Sequence, residues 1–265
     1  MNKKFNIDGF LTIKNFLSKS EKKDIIDVIY QTFSPHIEIT NKKNFSIEND
    51  QFHKKLILFR KKNPKKFGEI YDKLKLNAKL RSIFYKKKTL KIFSKILKNK
   101  IENIFLNGFM LRFDSPNDKR NNLDWHQDSS YYAMTYPKMN AGVCWMAITF
   151  NSTKNGTLQY IPKSNWKIEK KLRLTKEGKY TSAQNTIKIT KNELERKKNL
   201  IQSFGDASFL HMNLKHKSGF NNSKKFRITL GCRFHDMDLD FNAGKEVYSY
   251  NKKVWEDLWK VPSFK

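Results

Sequence analysis

A chain of 265 residues with 38% hydrophobic and 14% aromatic side chains can bury a sizeable core, which excludes overall disorder. The formal charge of +29 invites a nucleic-acid or membrane-surface reading, yet only 8 of the 54 basic residues are Arg and the Lys residues run through the whole chain. Nucleic-acid faces concentrate Arg, so the charge is discounted as a sign of a nucleic-acid partner; it is compatible with an anionic substrate but does not demonstrate one.

The opening MNKKFNIDGF is basic but has no apolar h-region, and no apolar run approaches the ~20 residues that span a bilayer. A cytoplasmic protein without a membrane span is expected. Cys144 and Cys232 both lie inside apolar runs and read as buried free thiols.

Residues 5–17 alternate apolar and polar and read as a short strand leading into a helix capped by Ser18 or Ser20, with Ile25, Ile26, Ile29 and Tyr30 on its apolar side. The stretch 41–63 is polar and reads as irregular. Phe67, Ile70, Tyr71, Leu74, Leu80, Ile83, Phe84, Leu90, Phe93 and Leu97 recur at helical spacing and predict one or two amphipathic helices over 66–98. The Lys run at 86–88 is most simply a solvated face or a helix junction.

After Lys100 the period changes to two. Strands are expected at 105–113, across DWHQD (124–128), at 141–150 and at 157–162, with turn-rich loops at 115–122 and 151–156 and a loop through Tyr136-Pro137. The basic stretch 163–203 reads as an insertion with helical signals near 190–199. A Gly-Asp turn then feeds a strand over 203–212, and 213–234 reads as strand, Gly/Asn turn and final strand. A short helix is expected near Val254–Trp259. The whole, 1–265, reads as one domain: helical support over 1–104, a jelly-roll core over 105–235 and a tail over 236–265. The fold class is mainly β with flanking helices, the core a jelly roll, which brings strands distant in sequence onto one inner face.

His126 and Asp128 are two residues apart, so on an extended strand both side chains point to one face. His216, beside the GFNNSK turn, is the best third ligand. Two His and one carboxylate leave positions open and suit iron(II) that must also take oxygen and an organic cosubstrate; a structural zinc would want four closed ligands. Arg227 follows eleven residues after His216, across that turn, where a hairpin could set imidazole and guanidinium on one inner wall. Its planar fork fits a carboxylate, and Ser218 shares the face of His216.

WHQD at 125–128, NSTKNGTLQYIPKS at 151–164 and FGDASFLHMNLKHKSGFNNSKKFR at 204–227, with the opening IDGFLTIKNFLS, together resemble the phytanoyl-CoA dioxygenase family of iron(II)/2-oxoglutarate oxygenases. The resemblance implies a double-stranded β-helix, a ferrous ion on His126, Asp128 and His216, and 2-oxoglutarate and O2 as cosubstrates, with succinate and CO2 released as a small organic substrate is hydroxylated. It implies that Arg227, assisted by Ser218, holds the far carboxylate of 2-oxoglutarate, and that Met110, Gln127 and Trp145 line the cosubstrate pocket. Core packing is an equal expectation for Met110 and Trp145, which sit in apolar strands.

In one place the chain departs from the family pattern: Asn165 stands where relatives commonly have His, which bears on the substrate pocket. The insertion is a candidate lid, with Arg173, Lys176 and Lys179 able to meet an anion. Tyr131, Tyr132 and Asn140 are candidates for the substrate side. Two other readings stay open: a nucleic-acid dealkylating oxygenase, since Arg227 and Arg233 have the Arg-x5-Arg spacing of that class, and a jelly-roll binding protein without turnover.

Overall fold

The computed structural model describes residues 1–39, 42, 45–119, 122–130, 140–170, 172–174 and 184–238. Tyr131, Tyr132, Tyr136-Pro137, Lys176, Lys179 and the expected helix near Val254–Trp259 lie outside the described residues.

The strand expected within 5–17 is present, but it begins only after a helix, α1 (Asn2–Asp8). Its single buried residue, Phe5, gives no periodic signal; the ring packs on His211 and Phe234 at centroid distances of 5.3 and 6.2 Å. Gly9, at φ 79, ends the helix and turns the chain into β1 (Phe10–Ile13). Helix α2 (Lys19–Ile37) starts at Ser18 with a full capping box. The Ser18 hydroxyl accepts from the Glu21 amide at 3.2 Å and the Glu21 carboxylate accepts from the Ser18 amide at 2.7 Å.

The stretch expected to be irregular contains α3 (Asp50–Lys62), capped by Asn49. Only Phe52, His53 and Leu56 are buried in it, a stripe too narrow to stand out among the Lys and Arg around it. Three helices follow where one or two were expected: α4 (Pro64–Lys75), α5 (Ala78–Tyr85) and α6 (Lys87–Leu97). Pro64 fits a first turn and Asn77 caps α5 by accepting from the Leu80 amide at 3.1 Å. Extended Lys86 separates α5 from α6, so the Lys run is a junction, with Lys86 and Lys88 paired to Glu21 at 3.1 and 3.5 Å.

The strands are β2 (Ile104–Asp114), β3 (Ala141–Ala147), β4 (Gln159–Tyr160), β5 (Leu172–Leu174) and β6 (Gln184–Thr186). After helix α7 (Lys191–Glu195) come β7 (Lys198–Asn199), β8 (Ala207–His211), β9 (His216–Lys217) and β10 (Arg227–Asp236). The antiparallel order β1-β8-β3-β10-β2 forms the larger sheet and β7-β4-β9 the smaller. This is the jelly roll the sequence predicted. The stretch 163–203 is less of an insertion than expected, since β7 pairs with β4 and Leu200 is buried between the sheets.

Every residue of β3 and β10 is buried because the large sheet is covered on both faces. Cys144, Met146, Leu111, Phe113, Ile228, Leu230, Cys232 and Phe234 face the helices. Val143 and Trp145 face the small sheet, where Leu158, Tyr160, Leu210 and Leu214 meet them. By alternation, the inner face also receives Met110, Arg112 and Asp114 from β2 and Arg227, Thr229, Gly231 and Arg233 from β10. Both cysteines are free, as expected. Among the described residues no helix is long and apolar enough to cross a membrane.

Candidate metal and cosubstrate site

The site closes through backbone hydrogen bonds between the segments that carry the two histidines. The His126 amide donates to the His216 carbonyl at 2.9 Å and the His216 amide donates back to the His126 carbonyl at 3.0 Å. This isolated bridge, without the strand expected across 124–128, sets the two imidazoles 4.2 Å apart between centroids. Asp128 then opens a 3-10 turn (Asp128–Ser130), which carries its carboxylate back beside the rings. One Oδ of Asp128 lies 3.9 Å from His126 Nε2, and a ligand atom from each of His126, Asp128 and His216 lies within 4.8 Å of the others.

The backbone also selects the tautomers. His126 Nδ1 lies 2.6 Å from the Asp124 carbonyl and His216 Nδ1 lies 2.8 Å from the Leu214 carbonyl. A carbonyl only accepts, so each Nδ1 carries the hydrogen and each Nε2 keeps a lone pair for an ion. Burial, reinforced by the charge of His216 and opposed by Asp128, pushes the His126 pKa down to about 3, so its imidazole is neutral at ordinary pH. Burial alone would raise the Asp128 carboxyl. The charge of Arg233, with Nη2 3.6 Å from Asp128, and the two imidazoles outweigh it and hold the group below its usual range. Two imidazole nitrogens and one carboxylate oxygen are the donor set that ferrous iron takes while keeping further positions open. The residues present fit that ion.

These ligands open into a cavity of about 460 Å³, its mouth included. Met110, Trp145, Val143, Leu123, Leu158 and Leu210 form its apolar walls, and Ser218, Arg112 and Arg233 its polar ones. Gly108, at φ +56, marks a bulge in β2, where the pairing shifts from Gly231↔Met110 to Arg233↔Asn107. A Cβ at Gly108 would collide with the Arg233 guanidinium, so the bulge makes the room in which Arg233 reaches Asp128.

The structure brings together His126, Asp128, His216, Ser218, Met110 and Trp145 as expected. Gln127 does not line the cavity. Its amide donates to the carbonyls of Lys167 (2.8 Å) and Asn213 (2.6 Å) and accepts from the Glu169 amide (2.8 Å), because residues adjacent in an extended segment point opposite ways. Arg227 is only 2% exposed and is also absent from the cavity wall. Its Nε and Nη2 donate to Asp114 at 3.2 and 2.6 Å and its Nη1 donates to the Gly156 carbonyl. Asn165 is bound to the Asn6 carbonyl at 2.8 Å, against α1 and away from the cavity. Asn140 donates to Leu97 and Asp236 at 3.0 and 2.6 Å and does not line this cavity.

Sequence reasoning missed Arg112 and gave Arg233 no role beyond its spacing. Arg112 carried a legible signal: it stands two residues after Met110, on the same face of one strand. Asp114, two further on, joins them. Burial would raise its carboxyl, but the charges of Arg112 and Arg227 outweigh that and hold it below its ordinary value.

The family model for phytanoyl-CoA dioxygenase (PhyH) matches residues 5–229. No curated protein sequence matches. Among solved structures, EctD from S. alaskensis with 2-oxoglutarate and 5-hydroxyectoine superposes with a TM-score of 0.61 at 13% identity, over 91% of this chain and 76% of that one. The non-heme monooxygenase ThoJ gives 0.58 at 17% identity over 89% and 76%. AviO1 from Streptomyces viridochromogenes Tue57 gives 0.55 at 15% identity over 90% and 94%. At such identities these likenesses show the shared jelly-roll fold.

Proposed function

Since the chain belongs to the phytanoyl-CoA dioxygenase family of iron(II)/2-oxoglutarate-dependent oxygenases, we propose that it hydroxylates a small organic, anionic substrate with release of succinate and CO2. The observation that carries the reading is the convergence of His126, Asp128 and His216 within 4.8 Å at the wall of a cavity that also holds two guanidiniums. When bound, iron(II) and 2-oxoglutarate supply an oxidant made from O2 by oxidative decarboxylation of the cosubstrate.

The chain's own residues place and enclose these groups. His126 and His216 present Nε2 because Asp124 and Leu214 hold Nδ1–H. Asp128 completes the triad, and Arg233 keeps it ionised. Met110, Val143, Trp145, Leu158 and Leu210 exclude water from the reacting groups, and Ser218 adds a hydroxyl to the wall. The second guanidinium in the cavity accounts for an anionic substrate or cosubstrate group beyond the one next to the metal.

The test is a screen of small carboxylates, amino-acid derivatives and acyl thioesters for iron(II)-dependent succinate formation above the uncoupled background. The expected result is stimulation by at least one substrate, with His126→Ala lowering turnover on the order of 100-fold or more. Full activity in His126→Ala would overturn the metal assignment.

A further inference from the structure

Resting on the reading above, we propose that Lys215 is a positioning residue for the metal triad, joining occupancy of His126, Asp128 and His216 to the docking of two outer stretches, 161–169 and 185–193. These stretches grip both ligand-bearing segments from behind. Next to His216, the Lys215 amide donates to Ser164 Oγ at 2.9 Å and the Ile161 amide donates to the Lys215 carbonyl at 3.0 Å. Around His126 and Asp128, the Ile187 amide donates to the Trp125 carbonyl and the Asn185 side chain to the Ser130 carbonyl, both at 3.0 Å. Trp125, Ile161 and Ile187 bury one another as a small apolar cluster.

Lys215 fastens this arrangement. His216 lines the cavity, and Lys215 beside it points away. Its Nζ lies 2.6 Å from a carboxylate oxygen of Glu169 and 2.6 Å from one of Glu193, one residue on each stretch, and its side chain is 5% exposed. Lys167, 3.1 Å from Glu169, makes the cluster two cations against two carboxylates. Glu193 also accepts from the Thr190 amide at 3.0 Å and so fixes the start of α7. The Glu169 amide donates to Gln127, which stands between His126 and Asp128 in the chain. One ammonium thus ties the backbone behind the third ligand to the backbone behind the first two. Without it, Glu169 and Glu193 would face each other as partly buried like charges.

Binding an ion requires ligand atoms from segments distant in sequence to be held together. Free energy that already holds them convergent need not come from the ion, so a fastened outer wall raises metal affinity. Linkage is reciprocal: an ion that binds the docked form better must hold the two stretches down by the same factor.

The experiment uses the whole chain, depleted of metal, with Co(II) as the probe. Affinity is read from the visible Co(II) absorption, and docking from amide hydrogen exchange of peptides covering 185–193, with and without saturating Co(II). In wild type, Co(II) is expected to slow that exchange roughly tenfold. Lys215→Met is expected to weaken Co(II) binding roughly tenfold and to lose the protection. Lys215→Arg, which keeps the charge and can reach both carboxylates, is expected to restore both readouts to within about threefold. Glu193→Gln, a milder lesion, stands in should the Met variant not fold, with a loss of about threefold. Ser18→Ala removes the cap of α2, which touches neither stretch, and should leave both readouts at wild type.

Co(II) affinity within about twofold of wild type in Lys215→Met, or exchange in 185–193 that ignores Co(II), would overturn the proposal and leave the metal triad standing. So would failure of Lys215→Arg to improve on Met, or an equal loss of affinity in Ser18→Ala. If wild type binds no Co(II), the triad is not a metal site, and the oxygenase reading falls together with this assignment.

Discussion

Replacing His53 by Gln should flatten the acid side of the stability profile. His53 is fully buried, with Nε2 donating to the Ile47 carbonyl at 2.8 Å and Nδ1 accepting from the Phe226 amide at 3.1 Å. Neutral imidazole satisfies both contacts. A proton on Nδ1 would face an N–H and place a charge in the core. Burial, helped by the charge of Lys225 and opposed by the Ile47 carbonyl and Asp50, accordingly pushes the pKa down from 6.5 to about 4.

The folded protein therefore binds this proton less readily than the unfolded chain. The stabilisation is fully present above pH 6.5, fades as pH falls, and is lost below about 4. At ~1.4 kcal/mol per pKa unit the depression is worth about 3 kcal/mol, or roughly 6–12 °C in midpoint temperature for a chain of this size. Gln can donate and accept at the same two contacts without titrating. Urea unfolding of metal-free protein, followed by tryptophan fluorescence at pH 7 and pH 4, should show the wild type losing about 3 kcal/mol more than His53→Gln. Parallel profiles would refute the reasoning. The test bears on the site because Phe226 immediately precedes Arg227 at the start of β10.

Lys215, adjacent to the candidate ligand His216, is 5% exposed at its side chain and lies 2.6 Å from both Glu169 and Glu193. Lys215→Met should cost about 2 kcal/mol and hasten proteolytic cleavage within 163–203, with unchanged cleavage counting against its role as the anchor of that segment. Gly108→Ala should cost about 1 kcal/mol from its left-handed backbone and displace Arg233, weakening Co(II) affinity roughly tenfold in a metal titration. Wild-type affinity would show that Arg233 does not support Asp128. Ser18→Ala should lower stability by about 1 kcal/mol in thermal unfolding, and no loss would discount the capping box of α2.

Patterns that depend on neighbours along the chain were open to reading. Period-two runs located β2, β3, β8 and β10, and helical spacing located the region of α4 to α6, because buried faces impose those periods directly. Where a segment buries only one to three side chains, as in α1 and α3, composition hid the helix. The three candidate metal-ligating side chains were also legible, since few side chain types can bind iron and their order carries the chemistry, and the fold brings them within 4.8 Å of one another.

The placement of the charged groups was not legible. Arg227 has a suitable type and spacing, yet Asp114 on the paired strand and the Gly156 carbonyl on a distant turn engage it, and nothing near Arg227 in sequence announces either. Gln127 is adjacent to two ligands and turns away because an extended backbone alternates its faces. Arg112 and Arg233 become the cations of the cavity only once β2 and β10 pair and a bulge at Gly108 makes room for Arg233. Sequence thus determined which chemistry the chain can host. Cross-strand register and competition among buried charges, both properties of the folded state, decided which cation faces the cavity.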